Sequence, residues 1–196
     1  MSRSATVQRQ TGETDVRVTV GLDGSGTTDI QTGVGFFDHM LTLLGRHAML
    51  DLTVSAEGDL HVDAHHTVED VGLALGQALR EAVGDKKGIA RYGDVRLPMD
   101  EVLAAVAIDW SGRPIYRGDL GLPAGAVLGT FAVELVDEFL RAVASEAKMA
   151  LHVDIVAGGN LHHVAEACFK GLGRALRQAC EPDPRQTGVP STKGTL

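Results

Sequence analysis

The sequence is poor in features that would point to several particular classes of protein. It has only two cysteines, Cys168 and Cys180, and aromatic residues make up 4% of its 196 residues. No apolar run approaches the roughly 20 residues of a membrane-spanning helix, and the opening MSRSATVQRQTGETD lacks the apolar stretch of a signal peptide. Both cysteines fall in one predicted helix, roughly 18 Å apart at 1.5 Å per residue, which is beyond disulfide reach. These absences predict a soluble, cytoplasmic protein with reduced thiols.

Positive charge is also scarce. The chain has 18 lysines and arginines against 26 acidic residues, a formal net charge of -8. This balance argues against broad binding to nucleic acid or to an anionic membrane, although it leaves room for a local basic pocket that binds one phosphate. With 44% hydrophobic residues, the chain is long enough to bury a core as one domain or as two fused halves.

Apolar periodicity predicts a mixture of strands and helices. A strand at 16–21 is expected to turn through LDGSGTTD into a second short strand, which would make a hairpin. Further strands are predicted at 50–56, near 59–62, at 102–108, after the SGRP turn and at 150–157. Helices are predicted at 36–47, 65–83, 130–148 and 161–179, and the tail is expected to be irregular.

Two segments of the chain repeat each other. HHTVEDVGLALGQALREAV begins at His65 and HHVAEACFKGLGRALRQAC at His162, an offset of 97 residues (162 minus 65). The segments before them also match, FFDHML with LVDEFL, so that His39 corresponds to Glu138. The repeat predicts two similar half-domains related by approximate twofold symmetry, residues 1–93 and 94–182, followed by a tail at 183–196.

The repeated histidines indicate a metal site. On a helix, His65 and Glu69 share a face, as do His66 and Glu69, whereas adjacent histidines project about 100° apart and suit different ions. A single pair could equally be the polar first turn of a helix, but repetition of the whole pattern favours metal binding. Nitrogen and carboxylate ligands without cysteine suit Mn²⁺, Fe²⁺ or Zn²⁺, and six-coordinate Mn²⁺ fits best. The candidate ligands are His39, His65, His66, Glu69, Glu138, His162, His163 and Glu166.

Motifs from end to end of the chain resemble those of the imidazoleglycerol-phosphate dehydratases. They include GVGFFDHML, DAHHTVEDVGLALG, KGIARYGD, DWSGRP, NLHHVAEACFKGLGRALRQA and PSTKG. The resemblance implies an α+β fold of two similar halves, each a mixed four-stranded sheet with helices packed on one face. It also implies two Mn²⁺ ions per active site and a homo-oligomer of 24 subunits with active sites at the interfaces. The implied partner is a phosphorylated imidazole substrate.

The resemblance also implies roles for individual residues. It assigns the metal to the eight candidate ligands, although relatives commonly have histidine where this chain has Glu138. It places catalysis on Glu13, the first choice for acid/base work, with Glu69 and Glu166. The substrate-binding residues that it implies are Glu13, His39, His65, Glu69, Arg91, Arg113, His162, Lys170, Ser191, Thr192 and Lys193. Leu43 stands where some relatives have a glutamine that helps to bind phosphate.

The implied reaction is the dehydration of D-erythro-imidazole-glycerol phosphate to imidazole-acetol phosphate in histidine biosynthesis. Metal ions on the imidazole nitrogens would favour imidazolate, which can expel the hydroxyl to give a diazafulvene and then an enol. A carboxylate such as Glu13 would take or relay the carbon-bound proton. Two other functions also fit the histidines: a non-catalytic metal-binding shell or storage protein, and a dinuclear metal hydrolase.

Overall fold

The two halves of the chain fold into two sheets of the same topology. The computed structural model describes residues 3–196. The first half contains β1 (Ser4–Gln10), β2 (Thr14–Gly21), β3 (Thr28–Gln31), α1 (Gly35–Ala48), β4 (Asp51–Gly58) and α2 (His65–Val83). Its strands lie in the order β1-β2-β4-β3, with β3 parallel to β4 and the other pairs antiparallel.

The second half repeats this arrangement. It contains β5 (Tyr92–Met99), β6 (Val102–Asp109), β7 (Ile115–Asp119), α3 (Leu135–Ala147), β10 (Ala150–Ala157) and α4 (Leu161–Cys180). A two-stranded insertion, β8 (Val127–Leu128) and β9 (Phe131–Ala132), precedes α3. The sheet order is β5-β6-β10-β7, with β7 parallel to β10. The α+β fold of two similar halves, each with a mixed four-stranded sheet, is therefore confirmed.

The helices lie between the two sheets. Helices α1 and α2 pack on the first sheet, α3 and α4 pack on the second, and α2 meets α3 while α1 meets α4. Alternation along the strands turns apolar side chains inward, and Val16, Val18 and Val20 of β2 are fully buried. The buried residues of both halves form one continuous core, and the predicted boundary after residue 93 falls inside β5. Within residues 3–196, no helix is both long and apolar enough to span a bilayer.

Matching glycines bring the helices close together. A Cβ atom on Gly76 of α2 would lie 2.5 Å from the carbonyl oxygen of Val143 in α3. A Cβ atom on Gly173 of α4 would lie 2.8 Å from the carbonyl oxygen of Leu44 in α1. Real Cβ atoms do not make such contacts, so both crossings require glycine. The two glycines are 97 residues apart (173 minus 76), the same offset as the histidine pairs.

The predicted hairpin, in which the strand at 16–21 turns through LDGSGTTD and pairs with the next strand, is wrong. The hairpin partner of β2 is β1, and β4 separates β2 from β3. The carboxylate of Asp51, the first residue of β4, accepts backbone hydrogen bonds from Ser25 at 2.9 Å and Thr27 at 3.1 Å. The glycine-rich stretch is therefore a crossover fixed above the start of β4, and it delivers β3 to the sheet edge.

Two other predicted elements differ from the structure. The strand near 59–62 is a turn, in which the backbone N–H of Val62 donates to the carbonyl of Asp59 at 2.7 Å. The helix expected from residue 130 begins at Leu135, because Phe131 and Ala132 pair with the preceding strand β8. The remaining predicted helices and the irregular tail are confirmed, and both cysteines lie free and buried in α4.

Candidate active site

Side chains from α1 and α4 converge on one group of metal-ligand atoms. The Nε2 atoms of His39 and His162 each lie 3.2 Å from Oε1 of Glu166. The three ligand atoms all lie within 4.8 Å of one another. His162 and Glu166 share a face of α4 because they are four residues apart, and the packing of α1 on α4 brings His39 to that face. The two imidazole side chains are nearly half exposed, so the cluster opens to solvent.

Glu166 is the electrostatic centre of this cluster. Its Oε2 atom accepts a 2.6 Å hydrogen bond from Nζ of Lys170, one helical turn further along α4. Burial of Glu166 opposes its ionisation, but hydrogen bonds from Lys170 and His39 outweigh that effect and lower its pKa to about 2. Glu166 is therefore an anion at neutral pH, as a carboxylate ligand must be.

His163 faces a different group of acids. Its Nδ1 atom lies 2.9 Å from Oε2 of Glu101, and its Nε2 atom lies 3.8 Å from Oδ2 of Asp100. The rings of His162 and His163 are nearly perpendicular, with 81° between their planes. The hydrogen bond to Glu101 raises the pKa of His163, while hydrogen bonds from the Asn160 backbone and from His163 lower that of Glu101 to about 2. The adjacent histidines His162 and His163 thus belong to separate groups of potential metal ligands.

The first half places its histidines in a looser arrangement. The Nδ1 atom of His66 lies 3.0 Å from Oδ2 of Asp59 and 3.7 Å from Oε2 of Glu13. The hydrogen bond to Asp59 raises the pKa of His66. Glu69 lies half-buried on α2, one turn from His65. Among the residues that the structure describes, no three ligand atoms of this half form a cluster like the one at Glu166.

Glu138 is not brought into contact with the first-half histidines. It is half-buried on α3, and its Oε2 atom lies 3.8 Å from Nε of Arg141. The exposed His65 does line a cavity of about 260 Å³ that Leu135, the first residue of α3, also lines. The helix that carries Glu138 therefore begins beside His65.

The basic and hydroxyl residues implied for phosphate binding line one cavity. It has a volume of about 660 Å³ and includes Arg91, Arg113, Ser191, Thr192 and Lys193. Arg91 joins the tail to the second sheet, since its guanidinium donates to the carboxylate of Asp109 at 2.7 Å and to the carbonyl of Pro190 at 2.7 Å. Three cations and two hydroxyl groups around one cavity are suited to a phosphate. Leu43, by contrast, packs partly buried against the core.

Three acidic residues of the site were missed by the sequence analysis. Asp59 was hidden by the wrongly predicted strand, and Asp100 and Glu101 occupy the β5–β6 turn, beside a strand that was not predicted. The position of Glu101 in the repeat could have identified it as a site residue. Both Glu13 and Glu101 directly precede the second strand of the first hairpin in their half.

The sequence pattern of the imidazoleglycerol-phosphate dehydratases matches residues 32–176, which include the whole Glu166 cluster and both histidine pairs. The chain belongs to this dehydratase family. An imidazoleglycerol-phosphate dehydratase from Moorella thermoacetica is 57% identical over 196 residues, covering 100% of both chains. One from Dinoroseobacter shibae is 58% identical over 195 residues, covering 99% of this chain and 100% of that one.

Solved structures of the family agree with this assignment. The crystal structure of imidazoleglycerol-phosphate dehydratase from Staphylococcus aureus superposes with a TM-score of 0.80 at 42% identity, covering 92% of this chain and 99% of that one. The enzyme from Pyrococcus furiosus, solved in complex with (S)-C348, gives 0.83 at 36% identity, covering 97% and 100%. The chain is therefore a hydro-lyase, and its reaction is the dehydration step of histidine biosynthesis.

Proposed function

We propose that the chain dehydrates imidazole glycerol phosphate with two Mn²⁺ ions per active site. The main support is the convergence of His39, His162 and Glu166 from two helices. The proposed ligands are these three residues together with His65, His66, Glu69, Glu138 and His163.

The donor chemistry fits manganese. The clustered ligand atoms are imidazole nitrogens and carboxylate oxygens, the set that Mn²⁺ accepts readily. Neither thiol competes, because Cys168 and Cys180 are buried in α4 and burial raises the pKa of each to about 12. When bound, the ions would supply Lewis acidity that favours loss of the proton from the imidazole ring of the substrate.

The residues of the chain bind and orient the two ends of the substrate. The cavity lined by Arg91, Arg113 and Lys193 would hold the phosphate, with the hydroxyl groups of Ser191 and Thr192 beside it. Lys170 would approach the substrate from α4, next to Glu166. Fixing the phosphate and the ring at the same time would hold the reacting carbons in place, so that binding energy contributes to the rate.

Glu13 is the proposed acid/base. Its side chain is 55% exposed, and it sits on the turn between β1 and β2, 3.7 Å from the ring of His66. A partly solvated carboxylate in that position can take the carbon-bound proton after the hydroxyl has left and release it to water. Glu166 stays ionised at neutral pH, so its part in catalysis is that of an anionic ligand, and we give Glu69 the same part on α2.

The proposed site is completed by other subunits in a homo-oligomer of 24. The described part of one protomer gathers two compact groups of ligand atoms, His39–His162–Glu166 and Asp100–Glu101–His163, and both include residues of α4. In the first half His65 is exposed and the ring of His66 is about one third exposed. Ligands at the surface with few partners of their own suit a site shared between copies. The proposed location is the cytoplasm, which agrees with two free cysteines.

The test is turnover of imidazole glycerol phosphate by protein that has been stripped with a chelator and then reloaded with Mn²⁺. We expect activity to disappear with the metal and to return with Mn²⁺. Full turnover after complete metal removal would refute the metal dependence, and bound metal without turnover would support a storage protein. H39A should lose metal and activity, whereas H152A, which changes an exposed histidine on β10, should lose neither.

A further inference from the structure

Glu13 and Glu101 occupy equivalent positions in the two halves. Glu13 is followed by Thr14, the first residue of β2, and Glu101 by Val102, the first residue of β6. Strands β2 and β6 hold the same place in their sheets, second from one edge and next to the strand that leads to a His-His helix. The duplicated fold therefore presents a carboxylate at the same point beside each histidine pair.

In the second half this carboxylate makes two close contacts. Oε1 of Glu101 accepts a 2.7 Å hydrogen bond from the backbone N–H of Asn160, and Oε2 lies 2.9 Å from Nδ1 of His163. Gly159 makes room for it, because a Cβ atom there would lie 2.3 Å from Oε1 of Glu101. Asn160 is also the N-cap of α4, and its side chain accepts from the backbone N–H of His162 at 2.8 Å. Glu101 thus joins the β5–β6 turn to the start of the helix that carries the ligands.

The contact with His163 fixes the state of its ring. An ionised carboxylate can only accept a hydrogen bond, so the proton of the neutral ring must be on Nδ1. The lone pair of Nε2 is then free for a metal ion. Carboxylates that accept from the second nitrogen of a histidine ligand hold the ring in one tautomer and one orientation, and they make it a better ligand.

We propose that Glu101 is a positioning residue that orients His163 and holds it in the Nδ1–H tautomer for metal binding. This inference rests on the proposed function in one respect, the assignment of His163 as a ligand. Glu101 acts through His163 and through the N-terminus of α4, with no contact to the substrate required.

In the first half a different carboxylate contacts the equivalent histidine. There Asp59, rather than Glu13, lies within hydrogen-bond distance of Nδ1 of His66 at 3.0 Å. Glu13 stays 3.7 Å from that ring with a side chain that is 55% exposed. One position of the repeat has therefore diverged into a residue that orients a ligand and a residue that remains available to the substrate.

The experiment compares E101Q with wild type, with E13Q, and with E57Q, which changes an exposed glutamate on β4. The first readout is the ¹⁵N chemical shifts of His163 in metal-free protein, which distinguish protonated Nδ1 from protonated Nε2. At a pH high enough to keep the ring neutral, we expect Nδ1–H in wild type. In E101Q the amide can donate to Nδ1 and shift the ring to Nε2–H.

The second readout is Mn²⁺ affinity, measured by titration calorimetry on the full chain. E101Q should bind Mn²⁺ about 10- to 100-fold more weakly, the usual effect of losing such a partner, with helix content unchanged. E57Q should bind as wild type does, and E13Q should lose turnover but keep its affinity. An unchanged tautomer together with unchanged affinity in E101Q would overturn the inference.

A second variant covers the case in which E101Q does not fold. E101D keeps the charge but is one methylene too short to reach both Asn160 and His163, so it should weaken Mn²⁺ binding to a smaller extent. Wild-type affinity in E101D would then overturn the inference. If wild-type turnover survives metal removal, the proposed metal dependence fails, whereas the ring tautomer still reports on Glu101.

Discussion

Nζ of Lys170 lies 2.6 Å from Oε2 of Glu166, while Oε1 of the same carboxylate faces two histidines at 3.2 Å. The two oxygens therefore face different partners, a cation on one side and imidazole nitrogens on the other. Because the lysine compensates the charge of Glu166 at Oε2, Oε1 can face the proposed metal position without leaving an unpaired charge next to the core.

The Lys170–Glu166 ion pair predicts how the stability of the metal-free protein changes at acidic pH. The pKa of Glu166 is about 2 in the folded chain, against an ordinary value of 4.5. Its ionised form therefore contributes stability that is present above pH 4.5 and is lost as the pH falls toward 2. K170M should raise the folded pKa of Glu166 and so make the loss of stability across this range smaller. Thermal unfolding of chelator-treated protein as a function of pH measures the effect. K148M, which alters a lysine paired with Glu146, should keep the wild-type profile.

Replacing Glu138 tests the residue that differs from its counterpart His39. E138A should weaken Mn²⁺ binding by at least about tenfold, or about 1.4 kcal/mol, because one of the proposed ligands is lost. E138H should retain the metal, since imidazole is an alternative ligand for the same ion. Metal analysis after gel filtration gives the occupancy, with E146A on the same helix as the control. Full metal content in E138A would remove Glu138 from the ligand set.

Removing the cation of Lys193 tests the phosphate cavity. K193A should raise KM by about tenfold or more, since hydrogen bonds to charged groups are worth about 1.5–3 kcal/mol. Metal content should stay at the wild-type value. The matched control is R185A, which alters an exposed arginine of the same tail that pairs with Asp183 at 3.1 Å. Equal KM values for K193A and R185A would show that Lys193 does not bind the phosphate.

A buried contact between α2 and the first hairpin should be important for stability. Asp70 is only 5% exposed and accepts hydrogen bonds from the hydroxyl of Thr14 and from Nε of Arg9, the latter at 2.6 Å. T14V leaves the buried carboxylate short of a donor and should cost about 1–3 kcal/mol in urea unfolding. T6V breaks an exposed Thr6–Thr19 contact and should change stability by less than about 0.5 kcal/mol. If T14V is no less stable than T6V, the buried hydrogen bond contributes nothing measurable.

Apolar periodicity predicted α1, α2 and α4 almost to the residue because each helix buries a regular stripe against a sheet. It missed β1 and β5, which are the first strands of their sheets and lie at an edge. Edge strands need few apolar residues: Val7 is the one buried residue of β1, and β5 contains Pro98. These segments become strands because they pair with β2 and β6, so their own residues are not enough to predict them.

The repeat in the sequence identified the histidines but not their acidic partners. The offset between halves is 97 residues at the histidine pairs, yet it is 88 between Glu13 and Glu101 (101 minus 13). The hairpin turns, residues 11–13 and 100–101, differ by only one residue. Most of the change in offset comes from the β8–β9 insertion between β7 and α3, so no single offset aligns the halves. Only the paired strands show that the two glutamates are equivalent.

The glycine contacts between the helices have a consequence for how such a chain could arise. Gly76 of the first half contacts α3 of the second, and Gly173 of the second half contacts α1 of the first. Each half therefore packs one helical glycine against a helix of the other half. Two identical copies of an ancestral half could pair through this same self-complementary surface. Fusion of their genes would then have required a linker and no new interface. The contact between the two halves, inside the single chain, would then correspond to the interface of that homodimer.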